Sequence, residues 1–121
     1  MTIKQLQNKC FGHALSHGFL HKNMNIAEML CEVHGEVSEA LTALQSKRRA
    51  DLRSYEKTFS DERFACYVKD SLEDELADIV MRVATLCGYL EIDLEKHISY
   101  KIEFNKNRGY LHGKYQMPSL S

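Results

Sequence analysis

Residues 25–46 read NIAEMLCEVHGEVSEALTALQS, and residues 71–88 read SLEDELADIVMRVATLCG. In the first stretch Ile26, Leu30, Val33, Val37, Ala40, Leu41 and Leu44 recur at three- and four-residue spacing. On a helix of 3.6 residues per turn they fall along one stripe. In the second stretch Leu72, Leu76, Ile79, Val83 and Leu86, with Leu90 just beyond, do the same. Both stripes are expected to be core. Asn25 suits the first helix start, with Glu28 at the capping-box position.

Working outward, a further helix is expected over about Ile3–His17, closed near Gly18. Another runs from near Asp93 to Gly109, a plausible C′ glycine. Residues 45–63 carry a dense charge mixture, including Lys47, Arg48, Arg49, Asp51 and Arg53. They read as a solvated connection, with a short helix around Phe64–Lys69. The tail from Tyr110 is short. No strand signal and no internal repeat is visible. The expected fold is all-α: a four-to-five-helix bundle forming one domain over residues 1–121.

Composition excludes several classes. Apolar residues make up 44% and charged residues 27%, which suits neither disorder nor a membrane protein. No apolar run reaches the length of a membrane span, and MTIKQLQNKC is not a signal peptide. A cytoplasmic protein is therefore expected. The net charge of −1 is a poor footprint for nucleic acid, and no nucleic-acid partner is expected. Cys10, Cys31, Cys66 and Cys87 are scattered singly, as expected for buried, reduced thiols.

The acids carry the functional signal. Glu36 and Glu39 are three apart, as are Glu75 and Asp78, so each pair shares a helix surface. Glu36 stands about 80° from its stripe centre and Glu75 about 60° from its own, on the same rotational side. If the two helices pack antiparallel, the pairs face each other across a groove. Carboxylates that close resist ionisation together, and a divalent cation relieves the repulsion. Magnesium takes such oxygen ligands while keeping sites for water and phosphate. The plainer reading is a solvated acidic face. On the last helix, an apolar line through Leu94 and Ile98 continues as Lys101, Asn105 and Arg108. Cations on a core-facing line suit an anion such as phosphate, or else a helix end entering solvent. Lys106, His112 and Lys114 extend the basic character. His13, His17 and His21 recur every fourth residue and could bind zinc on a continuous helix, but Gly18 interrupts it. His34 lies near the acids with an open role. A di-iron bundle needs Glu-x-x-His, which does not occur.

Together the stretches LCEVHGEVSEALTAL, EDELADIVMRVATLCG and KIEFNKNRGYLHGK resemble the MazG-like nucleoside triphosphate pyrophosphohydrolases, over most of residues 25–114. That family carries Glu-x-x-Glu on one helix and Glu-x-x-Asp on the next long one. The resemblance implies magnesium-dependent cleavage of an NTP or dNTP to the monophosphate and pyrophosphate, with manganese able to substitute. Glu36, Glu39, Glu75 and Asp78 would hold the metal, and Glu39 would take the proton from the attacking water. Lys101, Asn105, Arg108 and Lys114 would bind the triphosphate. It also implies a homodimer or homotetramer, one chain completing its neighbour's groove. The chain departs from the family pattern in its longer connection between the acid motifs, in Val33 where many relatives carry an acid, in Gly109 where proline is frequent, and in lacking tryptophan. Stacking on a base would fall to Phe19 or Tyr110. The alternative from another class is a helical module that binds nucleotide or a partner protein without catalysis.

Overall fold

A computed structural model describes residues 1–109. All regular structure among them is helical: α1 (Ile3–Ser16), α2 (Ile26–Gln45), α3 (Leu52–Tyr55), α4 (Asp61–Tyr67), α5 (Leu72–Tyr89) and α6 (Leu94–Lys106). Each helix start is fixed by a side-chain cap. Thr2 and Gln5 form a reciprocal capping box on α1, and Asn25, Asp51, Ser60, Ser71 and Asp93 each accept a backbone N–H three residues on. At Asn25 this is the expected N-cap.

α5 is the central helix, packed between α1 and α2, while α6 leans on α1. Contacts between α2 and α5 run in opposite senses. Arg82 reaches Glu32 and Glu36, whereas Glu73 reaches Arg49, just past the end of α2, so the two helices are antiparallel. Between α1, α2 and α5, Ala14, Leu20, Met29 and Leu86 form the core, with Phe11, Met24, Ile26 and Tyr89 packed against it. The Tyr89 hydroxyl donates to the Lys22 carbonyl at 3.0 Å and accepts from the Met24 N–H at 2.9 Å, which pins the α1–α2 connection to α5. Gln7 donates to the Ile92 carbonyl at 2.7 Å and so docks the α5–α6 turn on α1.

Gly88 is the penultimate residue of α5. A Cβ there would meet the Phe11 Cβ at 2.6 Å, so the glycine permits the close approach of α1 and α5. Gly18 does close α1, at φ 77°. α6 ends at Lys106 with Asn107 as its cap, earlier than the expected Gly109.

Three expectations need correction. First, residues 45–63 are not a plain connection. They hold α3 and the start of α4, which pack on each other around an edge-to-face cluster of Tyr55, Phe59 and Phe64. Neck contacts lock this hairpin to the bundle: Leu72 N–H to the Arg48 carbonyl at 3.0 Å, Asp51 N–H to the Tyr67 carbonyl at 2.8 Å, and Arg48 Nε to the Lys69 carbonyl at 2.9 Å. Second, much of the expected core is exposed. α2 buries Met29, Glu36, Ala40 and Ala43, while Leu30, Val37, Leu41 and Leu44 are each about half exposed. Leu76, Val80 and Met81 are exposed on α5. α2 is apolar along two adjacent lines, and within one chain α5 covers only one of them. Third, Cys10 and Cys87 are buried free thiols, but Cys31 and Cys66 are exposed. No helix among the described residues is long and apolar enough to cross a membrane.

Candidate metal centre

The antiparallel pairing of α2 and α5 supplies the axial register that the sequence left open. Glu36, in the middle of α2, meets Glu75 and Asp78 in the first two turns of α5. One oxygen from each of the three carboxylates lies within 4.8 Å of the others. Glu36 is 9% exposed and Glu75 4%, and Asp78 is half-buried. Glu39 lies outside this triad. It stands near the next turn of α2 with its side chain in solvent, close enough for its carboxyl to act on Glu75. The structure therefore brings three of the four expected ligands into one group and leaves the fourth at its mouth.

Burial and like charge set the electrostatics. Burial, then hydrogen bonding to the Glu39 and Glu36 carboxyls, and then their charges push Glu75 up to about 7. Asp78 is raised by burial and by the charges of Asp74, Glu36 and Glu39, against a lowering from Arg82. Burial also pushes Glu36 upward, but hydrogen bonds from Arg82 and from the Glu75 and Glu39 carboxyls outweigh it. Glu36 ends below the usual carboxylate range. Without a cation, the group therefore holds a proton near neutral pH.

With all the carboxylates ionised, two buried oxygens, Oε2 of Glu36 and Oε2 of Glu75, have no hydrogen-bond donor. Such atoms cost on the order of 1–3 kcal/mol each when left unsatisfied. Three hard oxygen donors with two orphaned lone-pair sites fit a magnesium-type cation, which would satisfy both. A second acid group, Asp70, Asp74 and Glu75, is engaged differently. The Asp74 carboxylate accepts the Asp70 N–H at 2.9 Å beside the positive end of α5, where anions are favoured without any metal.

The chain matches no protein-family model, no curated protein and no solved structure. What the site does is thus read from its own geometry.

Arg82 is the residue beside the site that sequence reasoning missed. Its Nε donates to Glu36 Oε1 at 2.7 Å and its Nη1 to Glu32 Oε2 at 2.9 Å. The signal was present: Arg82 lies four residues after Asp78, and Glu32 four before Glu36, so each shares a face with an acid already singled out. Beyond Arg82 a cleft of about 890 Å³ opens between α1, α2 and α5. Apolar side chains, among them Cys10, Phe19, Leu20, Met24, Met29 and Met81, make most of its wall, and Lys9, His13, Glu32, Arg82 and Thr85 supply polar atoms. That volume and lining suit a small organic ligand.

The expected phosphate ligands sit elsewhere in the chain. Lys101 and Asn105 are exposed on α6 and Arg108 just past its end, and neither cation pairs with the acids. Lys101 and Arg108 instead lie over the Phe104 ring, at 5.1 and 5.4 Å from its centroid. Lys114, His112 and Tyr110 lie outside the described residues. His13 and His17 stack at 4.0 Å between centroids, and neither joins a metal-binding group among the described residues.

Proposed function

We propose that this chain is a magnesium-dependent nucleoside triphosphate pyrophosphohydrolase of the MazG-like all-α type. The observation carrying this reading is the Glu36–Glu75–Asp78 group with its two orphaned oxygens, one guanidinium away from a largely apolar cleft of about 890 Å³.

Glu36, Glu75 and Asp78 would hold the cation. When bound, it supplies charge neutralisation for the triphosphate and a more acidic attacking water. Glu39, exposed beside the triad, would accept that water's proton. The water oxygen attacks the α-phosphorus, the bond from that phosphorus to the bridging oxygen breaks, and pyrophosphate leaves with the bond's electron pair. The apolar cleft would take the nucleoside, with Phe19, 68% exposed at its wall, available for stacking.

The assembly would be a homodimer or homotetramer. The exposed line Leu30, Val37, Leu41 and Leu44 with Leu76 and Val80 supports this, because an apolar surface of that extent calls for a covering. A neighbour could then bring Lys101, Asn105 and Arg108 to the phosphates, which the single chain does not do.

The test is pyrophosphate release from a panel of NTPs and dNTPs with Mg²⁺, with Mn²⁺, and with EDTA. Metal-dependent release with a monophosphate product is expected. No release from any of them by folded protein would refute the assignment and favour a nucleotide-binding module.

A further inference from the structure

Five carboxylates (Glu32, Glu36, Glu39, Glu75 and Asp78) converge where α2 crosses α5, and Arg82 is the only cation in an ion pair with them among the described residues. Its side chain is 44% exposed, yet two separate acids hold its fork: Glu36, with an 11% exposed side chain, and Glu32, at 58%. Arg82 engages only one oxygen of Glu36. Oε1 accepts from Nε at 2.7 Å, while Oε2 is buried with no donor.

We propose that Arg82 is a positioning residue of the metal centre, fixing the Glu36 carboxylate so that Oε2 is presented as a ligand, with Glu32 as the strut that holds the guanidinium in place. This rests on the reading of Glu36, Glu75 and Asp78 as cation ligands. The long Glu36 side chain has several rotamers, and a carboxylate held by one oxygen spends less freedom when the other binds an ion. The guanidinium suits this role because it is planar and donates in two directions at once. An ammonium offers charge without that fork.

A simpler role for Arg82 is that of a counter-charge, and the two roles predict opposite signs. A bare positive charge beside the site repels an incoming cation, so removing it would tighten metal binding. A positioning group assists the cation, so removing it weakens binding.

The experiment is a titration of the full chain with Mn²⁺ alone, followed by calorimetry or by the electron-paramagnetic-resonance signal of free Mn²⁺. Wild type is compared with Arg82→Met and Arg82→Lys, and the Tm in EDTA is recorded for each. The expected result is a dissociation constant weaker by about 10-fold or more for Arg82→Met. Arg82→Lys should fall between Arg82→Met and wild type, with the metal-free Tm of both variants close to wild type. An Arg82→Lys protein that binds like wild type, or an Arg82→Met protein that binds more tightly, overturns the proposal and leaves Arg82 a counter-charge. If Arg82→Met does not fold, the lysine variant decides alone. A wild type that binds no Mn²⁺ overturns the metal-centre reading itself, and this inference with it.

Discussion

Replacing Glu75 by Gln should make the metal-free protein more stable while removing its response to metal. Glu75 is 4% exposed and titrates at about 7 in the folded chain, against 4.5 when unperturbed. The folded state therefore binds the Glu75 proton more tightly than the unfolded state does. Stability falls as pH rises through the window from 4.5 to 7, and the whole cost is present above it. Each tenfold difference in proton affinity is worth about 1.4 kcal/mol, so ionised Glu75 costs on the order of 3 kcal/mol at pH 8 and under about 1 kcal/mol at pH 5. Glu36 does not offset this within the window. Its lowered value contributes stability above 4.5 that is lost only at more acid pH. Glutamine keeps the shape without the charge, and its amide can donate to the neighbouring carboxylates.

Denaturant titration in EDTA at fixed protein concentration should thus show Glu75→Gln more stable than wild type by about 2–3 kcal/mol at pH 8, and by under about 1 kcal/mol at pH 5. For a chain of this size that is a rise of roughly 8–12 °C in Tm at pH 8. Adding Mg²⁺ should raise the Tm of wild type only. A variant no more stable than wild type at pH 8, or one with the same gain at both pH values, would refute the claim that the Glu75 charge is under strain from burial and like charge.

Three further outcomes follow from particular contacts. Because the cation must displace the proton held near pH 7, Mg²⁺ affinity should rise about tenfold per pH unit below 7 and level off above it. Calorimetry at several pH values in buffers of different ionisation enthalpy measures both the affinity and the released proton, and a flat profile would contradict the coupling. Gly88→Ala adds a Cβ 2.6 Å from the Phe11 Cβ and 2.8 Å from its Cγ. It should lower stability by about 1–3 kcal/mol in thermal unfolding, despite the better helix propensity of alanine. Leu41→Lys places a charge in the middle of the exposed line on α2. In sedimentation it should shift wild-type dimers or tetramers to monomers, and a wild type already monomeric at micromolar concentration would remove the oligomer from the proposal.

What was legible in the sequence, and what was not, divides along a physical line. Periodicity and spacing are properties of one helix, so the long helices were readable, as was the shared face of Glu36 with Glu39 and of Glu75 with Asp78. Which face of a helix is covered depends on its partners. α2 is apolar along both Met29–Ala40–Ala43 and Leu30–Leu41–Leu44, and nothing within α2 says that α5 takes the first. Gly88 stands near the end of α5, and its need for a missing Cβ shows only once Phe11, far away in sequence, lies against it. Arg82 is the most instructive case. A lone arginine on an amphipathic helix reads as solvent-facing, and only the antiparallel register of α2 and α5 sets it between Glu32 and Glu36. The triad obeys the same logic, since two weak pairs of acids became one site when that register brought Glu36 to Glu75 and Asp78. The register is fixed at both ends by ion pairs: Arg49 with Glu73 at the neck of the hairpin, and Arg82 with Glu32 nearer the cleft. A slip of one helical turn along α5, about 5.4 Å, would break both and separate Glu36 from Glu75. Holding like charges together therefore depends on opposite charges placed on either side of them.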